Sequence, residues 1–154
     1  MSDDLCARRW AVVAEHIRGE THGADLDAAV AAFADGAATY DVVPLAFLNP
    51  AGQELTHPTA ADVLEHLTAL TTAFPDLELV PERVHHTDET VIVEGRSVGT
   101  HRGAFLGIPP TGRRMDVRAC VVYRFDGDRL TNETVYFDLA TQLRQLGLGA
   151  MDLA

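Results

Sequence analysis

Residues 114–137 constrain the fold more than any other stretch. The run RMDVRACVVYRFDGDRLTNETVYF alternates apolar and polar side chains on both sides of Asp126-Gly127-Asp128, which predicts two half-buried strands around a hairpin turn. Strands joined so tightly must pair antiparallel. For a regular hairpin at that turn, parity places Met115, Val117, Ala119, Val121, Tyr123 and Phe125 on the same side as Leu130, Asn132, Thr134, Tyr136 and Asp138. That side is apolar with a few hydroxyls and one acid, the makeup of a ligand-cavity wall. The other side carries Asp116, Arg118, Cys120, Val122, Arg124, Thr131, Glu133, Val135 and Phe137 and reads as a solvated or subunit-facing surface.

Helical patterns come before the strands. Cys6, Trp10, Val13 and Ile17 recur at three- and four-residue spacing and predict a helix from Asp3 to Arg18. A second helix is expected from the N-cap Asp25 to Gly36, with Leu26, Val30 and Phe33 on one side. A strand over Ala38–Phe47 and an Asn49-Pro50-Ala51-Gly52 turn follow, and then Thr59-x-x-Asp62 opens a third helix that ends by Phe74. Further strands are expected over Leu77–His86 and Thr90–Gly103, ahead of the hairpin, and a last helix over Leu139–Gln145 stops at Gly147. Helices followed by strands indicate an α+β domain spanning residues 1–154: a curved antiparallel sheet of four to six strands, covered by three N-terminal helices and enclosing a cone-shaped cavity.

Twenty-three acidic against twelve basic side chains give a formal charge of −11, which disfavours nucleic acid and anionic lipid as partners. The expected partner is an apolar small molecule or another copy of the chain. No run of about 18 apolar residues suggests a membrane span. The Met-Ser-Asp-Asp start lacks a signal-peptide pattern, and Cys6 and Cys120 lie far apart, so a cytoplasmic protein with reduced thiols is expected.

Gly99-Thr-His-Arg-Gly103, Phe105-Leu-Gly-Ile-Pro-Pro-Thr-Gly112, Phe125-Asp-Gly-Asp128, Glu133, Asp138 and Gln145-Leu-Gly147 resemble the SnoaL-like polyketide cyclases and ester cyclases of the nuclear transport factor 2-like superfamily. The resemblance covers roughly a third of the chain. It implies a cone-shaped α+β barrel, dimeric or tetrameric, without metal or organic cofactor. It also implies that Asp138 serves as general acid/base in an intramolecular aldol closure of a polyketide. Other branches of the superfamily add water to epoxides or ketones, isomerise, assist hydroxylation or bind without turnover.

Asp138 is therefore the first catalytic candidate, and its alternative role is to cap the last helix through the amide of Ala140 or Thr141. His101, entering the Gly-rich loop, is the second, as a group able to polarise a carbonyl near neutral pH. Tyr40, Tyr123, Tyr136 and Val121 are expected to contact substrate from the strands, Trp10 from the first helix, and Arg118 if the register slips by one. Glu94 and Arg96 share a strand face and suggest an ion pair. His85 and His86 point to opposite faces and make a poor metal pair, so no metal site is expected.

Overall fold

The computed structural model describes residues 2–34, 38–48 and 55–149. Its elements are α1 (Asp3–Glu20), a 3-10 turn at Thr21–Gly23, α2 (Leu26–Ala31), β1 (Thr39–Val42), a 3-10 segment Val43–Leu48, β2 (Leu55–His57), α3 (Ala60–Ala73), β3 (Glu78–His86), β4 (Thr90–Thr100), β5 (Arg114–Asp126), β6 (Arg129–Phe137) and α4 (Leu139–Gln145). One six-stranded sheet runs in the order β2-β1-β6-β5-β4-β3. The α+β architecture is as expected, with one refinement: β1 pairs parallel with β6, whereas every other neighbouring pair is antiparallel.

Local chemistry explains the helix ends. Ser2 accepts from the Leu5 amide at the start of α1, and Thr59 and Asp62 form a reciprocal capping box on α3. α2 is shorter than the expected segment: Phe33 leaves the helix to bridge Leu130, and the Ala34 amide donates to the Leu130 carbonyl at 2.6 Å. Gly36 and the Asn49–Gly52 turn lie outside the described residues. The expected strand over Ala38–Phe47 stops at Val42, just ahead of Pro44, which has no amide to give a ladder. β4 ends at Thr100, where Asp76 takes both the amide and the hydroxyl of that threonine, at 2.6 and 2.7 Å.

The largest correction concerns β6. Phe125 pairs with Leu130, but Arg124 pairs with Asn132, so Thr131 is an extra residue on β6. This β-bulge reverses the side-chain parity for the rest of the strand. Tyr123 then faces Glu133, Val121 faces Val135 and Ala119 faces Phe137. Glu133, Val135 and Phe137 consequently turn inward, while Asn132, Thr134, Tyr136 and Asp138 leave the inner face. The Thr131 hydroxyl donates to the Arg124 carbonyl at 3.1 Å and satisfies an acceptor at the bulge.

The inner face packs against α1, α2 and α3 through a core that includes Val13, Ile17, Ala29, Phe33, Val63, Leu67, Val91, Val93, Val121, Tyr123 and Phe125. A second cluster, Ala73, Phe74, Leu77, Met115 and Leu146, closes the α4 end. Arg9 is buried at 2% exposure, donates to the Gly127 carbonyl at 2.7 Å and the Asp88 carbonyl at 3.1 Å, and lies over the Phe125 ring. It joins α1 to both hairpin turns at one end of the sheet. On the outer face, Arg96 pairs with Glu82 and Asp116 rather than with Glu94, which pairs with His85 and Arg83. Arg83 lies directly opposite Glu94, whereas Asp116 and His85 stand diagonally across from Arg96 and Glu94 and are reached by the long side chains.

Candidate active site

A cavity of about 100 Å³ lies between the sheet and the helices. Its walls are apolar: Val42, Leu45, Leu70, Leu77, Leu79, Phe105, Val117, Val121, Val135 and Phe137. Polar groups enter it from Glu20, Thr21, Tyr40, His66, Ser97, Glu133 and Gln142.

Glu133 organises one end. Register places it opposite Tyr123 on β5 and Tyr40 on β1, so a carboxyl sits between two tyrosines in a row across three strands. From above, α1 delivers His16, whose Nε2 lies 2.6 Å from Glu133 Oε2 and 3.1 Å from Glu20 Oε1. The i, i+4 spacing of His16 and Glu20 puts both on one helix face. His16 Nδ1 faces the Ala29 carbonyl at 2.8 Å. A carbonyl only accepts, so Nδ1 carries a proton and Nε2 is the atom that exchanges one with the carboxylates. Neither carboxylate oxygen lies in line with the ring for a regular hydrogen bond.

Burial sets the charge states. Desolvation pushes Glu133 up to about 7 from its ordinary 4.5, against the opposing pull of His16. Desolvation disfavours the His16 imidazolium, but the Glu20 and Glu133 carboxylates outweigh it and raise His16 well above 6.5. Tyr40 and Tyr123 are raised well above 10, first by burial and then by the nearby carboxylates, and stay protonated as hydrogen-bond donors. His66, packed 4.3 Å from the His57 ring, is lowered to about 4 by burial and by His57, and is neutral at pH 7.

His16, Glu20 and Glu133 also have metal-ligand donor types within 4.8 Å of one another. Ligands on a tetrahedral Zn²⁺ at roughly 2.0–2.2 Å stand about 3.3 Å apart. The 2.6 Å contact between Nε2 and Oε2 is shorter and suits a shared proton.

The sequence-derived candidates fall into three groups. Tyr40 and Val121 line the cavity, and Tyr123 lies fully buried beside Glu133. Trp10 packs on the edge of the main core without reaching the cavity. His101 is fully buried but off the cavity: it stacks on Phe74 at 5.3 Å and accepts the Thr111 amide at Nδ1, which ties down the 101–112 loop. Asp138, Tyr136 and Arg118 lie on the outer face, where they border a shallow groove with Arg83, Glu94 and Cys120. Asp138 is exposed and accepts from the Thr141 amide at 2.9 Å as the N-cap of α4. That hydrogen bond holds its carboxyl below the ordinary 3.8. Tyr136 is 41% exposed, and Arg118 pairs with Glu82 at 2.8 Å.

Sequence reasoning missed His16, Glu20, His66 and Gln142 as site residues and placed Glu133 outside. The available signal was the position of His16, three residues from Val13 and so within the buried stripe of α1.

A buried acid at the end of an apolar hollow under a curved sheet has the makeup of a small-molecule site. The chain matches the SnoaL-like polyketide cyclase family over residues 24–146 and belongs to it. No curated protein matches the sequence. Among solved structures, AclR of Streptomyces galilaeus, a proposed hydroxylase, is similar at 21% identity and TM-score 0.72, covering 92% of this chain and 96% of that one. IdmH of Streptomyces antibioticus, a proposed polyketide cyclase, has 22% identity and TM-score 0.72, covering 91% of this chain and 99% of that one. A phenazine biosynthesis-related protein of Pseudomonas aeruginosa has 17% identity and TM-score 0.77, covering 97% and 88%. These likenesses establish the fold. No helix among the described residues is long and apolar enough to cross a membrane.

Proposed function

We propose that this protein is a cofactor-independent acid/base enzyme that acts on a largely apolar, polyketide-type carbonyl compound, with intramolecular aldol closure as its reaction. One observation carries the reading: a 2%-exposed carboxyl, Glu133, held near neutrality, faces an apolar cavity and touches His16. A proton-transfer group works best when its pKa lies near the operating pH. The Glu133 carboxylate takes a proton from carbon α to one carbonyl. The C–H electron pair forms an enolate, whose carbon attacks a second carbonyl of the same molecule. The new alkoxide recovers the proton from Glu133, so atoms and charge balance without a co-reactant. His16 stabilises the carboxylate, Tyr40 donates to the oxygen that gains charge, and the apolar walls fold the substrate.

This assignment moves the acid/base role from Asp138, the position the family resemblance implied, to Glu133. The two are separable by α-proton exchange of α-tetralone in D2O, followed by proton NMR. Wild-type protein is expected to accelerate exchange, Glu133→Gln to lose about 10²- to 10⁴-fold, and Asp138→Asn to retain the rate. Undiminished exchange in folded Glu133→Gln, or its loss in Asp138→Asn, would overturn the assignment.

A further inference from the structure

The cavity has a second polar end. Gln142 on α4 is 3% exposed and reaches the cavity among Met115, Phe105 and Leu77. Its Nε2 donates to Met115 Sδ at 2.9 Å, a weak acceptor. Its Oε1 is buried and has no hydrogen-bond partner among the described residues. A buried amide oxygen without a partner is unfavourable, and such atoms are rare in folded proteins.

The helix that carries Gln142 is anchored to its surroundings. Asp138 caps the first turn of α4 and accepts the Gln142 amide at its own carbonyl, at 3.0 Å. One turn on, Gln145 clamps the Asp116 backbone with two hydrogen bonds, at 2.8 and 3.0 Å. Gln142 and the acid enter the cavity from different elements, α4 and β6. Gln142 touches Met115, whereas Glu133 pairs with Tyr123, eight residues along β5, and the Gln142 and Glu133 side chains line the same cavity.

We propose that Gln142 forms a second binding subsite, whose Oε1 accepts a hydrogen bond from a hydroxyl at the end of the ligand remote from Glu133. The cavity then selects an elongated, mainly apolar molecule with a hydroxyl far from its reacting carbonyl. This inference rests on the cavity being the substrate site, as in the proposed function. It makes Gln142 a specificity-determining residue and assigns it no proton transfer.

Three probes test it by calorimetry or fluorescence: 2-naphthol, 2,6-dihydroxynaphthalene and 6-methoxy-2-naphthol, which cannot donate at its far end. Wild-type protein is expected to bind the diol about tenfold tighter than the other two, the effect of one good hydrogen bond. Gln142→Leu should reduce that preference to within twofold while leaving 2-naphthol affinity unchanged, and Gln142→Met repeats the test if the leucine variant does not fold. Absence of a diol preference in wild type, or its persistence in either folded variant, overturns the subsite. If 2-naphthol still binds and Glu133→Gln still loses α-tetralone exchange, that failure leaves the acid/base reading standing. If none of the probes binds, the subsite falls together with the cavity as an aromatic-ligand site.

Discussion

Tyr123 and Glu133 face one another across β5 and β6, one residue out of step with the turn that joins their strands. The offset is Thr131, and it decides which acid of β6 sees the cavity. Without an extra residue, Tyr123 would face Asn132 and Glu133 would point outward. The bulge thus positions the candidate catalytic group.

Removing Thr131 altogether is expected to keep Glu133 inside, because Leu130 and Asn132 would then succeed each other opposite Phe125 and Arg124 in a regular ladder. The variant should fold and lose about 1 kcal/mol with the Thr131 hydrogen bond. Its Glu133 should still titrate near 7, as followed by carbon NMR of the labelled carboxyl. Titration at the ordinary carboxylate value would show that the side chain had turned outward and would refute this account of the register.

Stability should fall as pH rises through neutrality. Glu133 is raised from 4.5 to about 7 and His16 is raised well above 6.5, so the folded chain binds both protons more tightly than the unfolded chain does. The Glu133 contribution is fully present below pH 4.5 and lost by about 7, and that of His16 declines above 6.5. Asp76 acts in the opposite sense. Burial opposes its ionisation, but hydrogen bonds from Thr100 outweigh burial and hold it below 3.8, so its contribution is lost in stronger acid. The free energy of urea unfolding should therefore be greatest at about pH 4–5 and fall by about a few kcal/mol toward pH 8. In Glu133→Gln the decline between pH 4.5 and 7 should largely vanish; an unchanged profile would mean that the carboxyl is not perturbed.

Much of the fold was legible because its signals are local. The Thr59/Asp62 capping box, the apolar stripe of α1 and the Asp126-Gly127 turn each depend on residues within a few positions of one another. The site was less legible because it depends on one unpatterned residue and on distant contacts. Thr131 carries no composition signal for a bulge, yet it exchanges the inner and outer sets of β6 and puts Tyr136 and Asp138 outside. His16 meets Glu133 only once α1 lies on the sheet. His101 looked reactive because imidazoles titrate near neutrality, but its ring stacks on Phe74, with Nδ1 bonded to Thr111, and does not line the cavity.

Asp138 and Thr141 form the helix cap at the start of α4. Asp138→Asn, which preserves the capping acceptor, should leave the melting temperature almost unchanged. Asp138→Ala should lower it and speed amide exchange at Thr141 and Gln142. If Gln142 is positioned by this cap, the alanine variant should also weaken the diol preference while leaving α-tetralone exchange intact. Loss of α-tetralone exchange in the asparagine variant would instead return the acid/base role to Asp138.

Arg9 binds the carbonyls of Gly127 and Asp88 and lies 5.2 Å from the Phe125 ring centroid, so one buried guanidinium holds two hairpin turns against α1. Arg9→Met keeps much of the packing volume but leaves those carbonyls without their charged donor. The expected loss is about 2–4 kcal/mol, read from urea unfolding. Arg9→Lys should recover only part of it, since an ammonium cannot span both turns with the fixed fork of a guanidinium. The damage should lie at the turns: amide exchange is expected to accelerate at Asp88, Gly127 and Asp128 well before it does at Glu133. Uniform acceleration across the sheet would mean that Arg9 supports the core as a whole rather than joining these two turns.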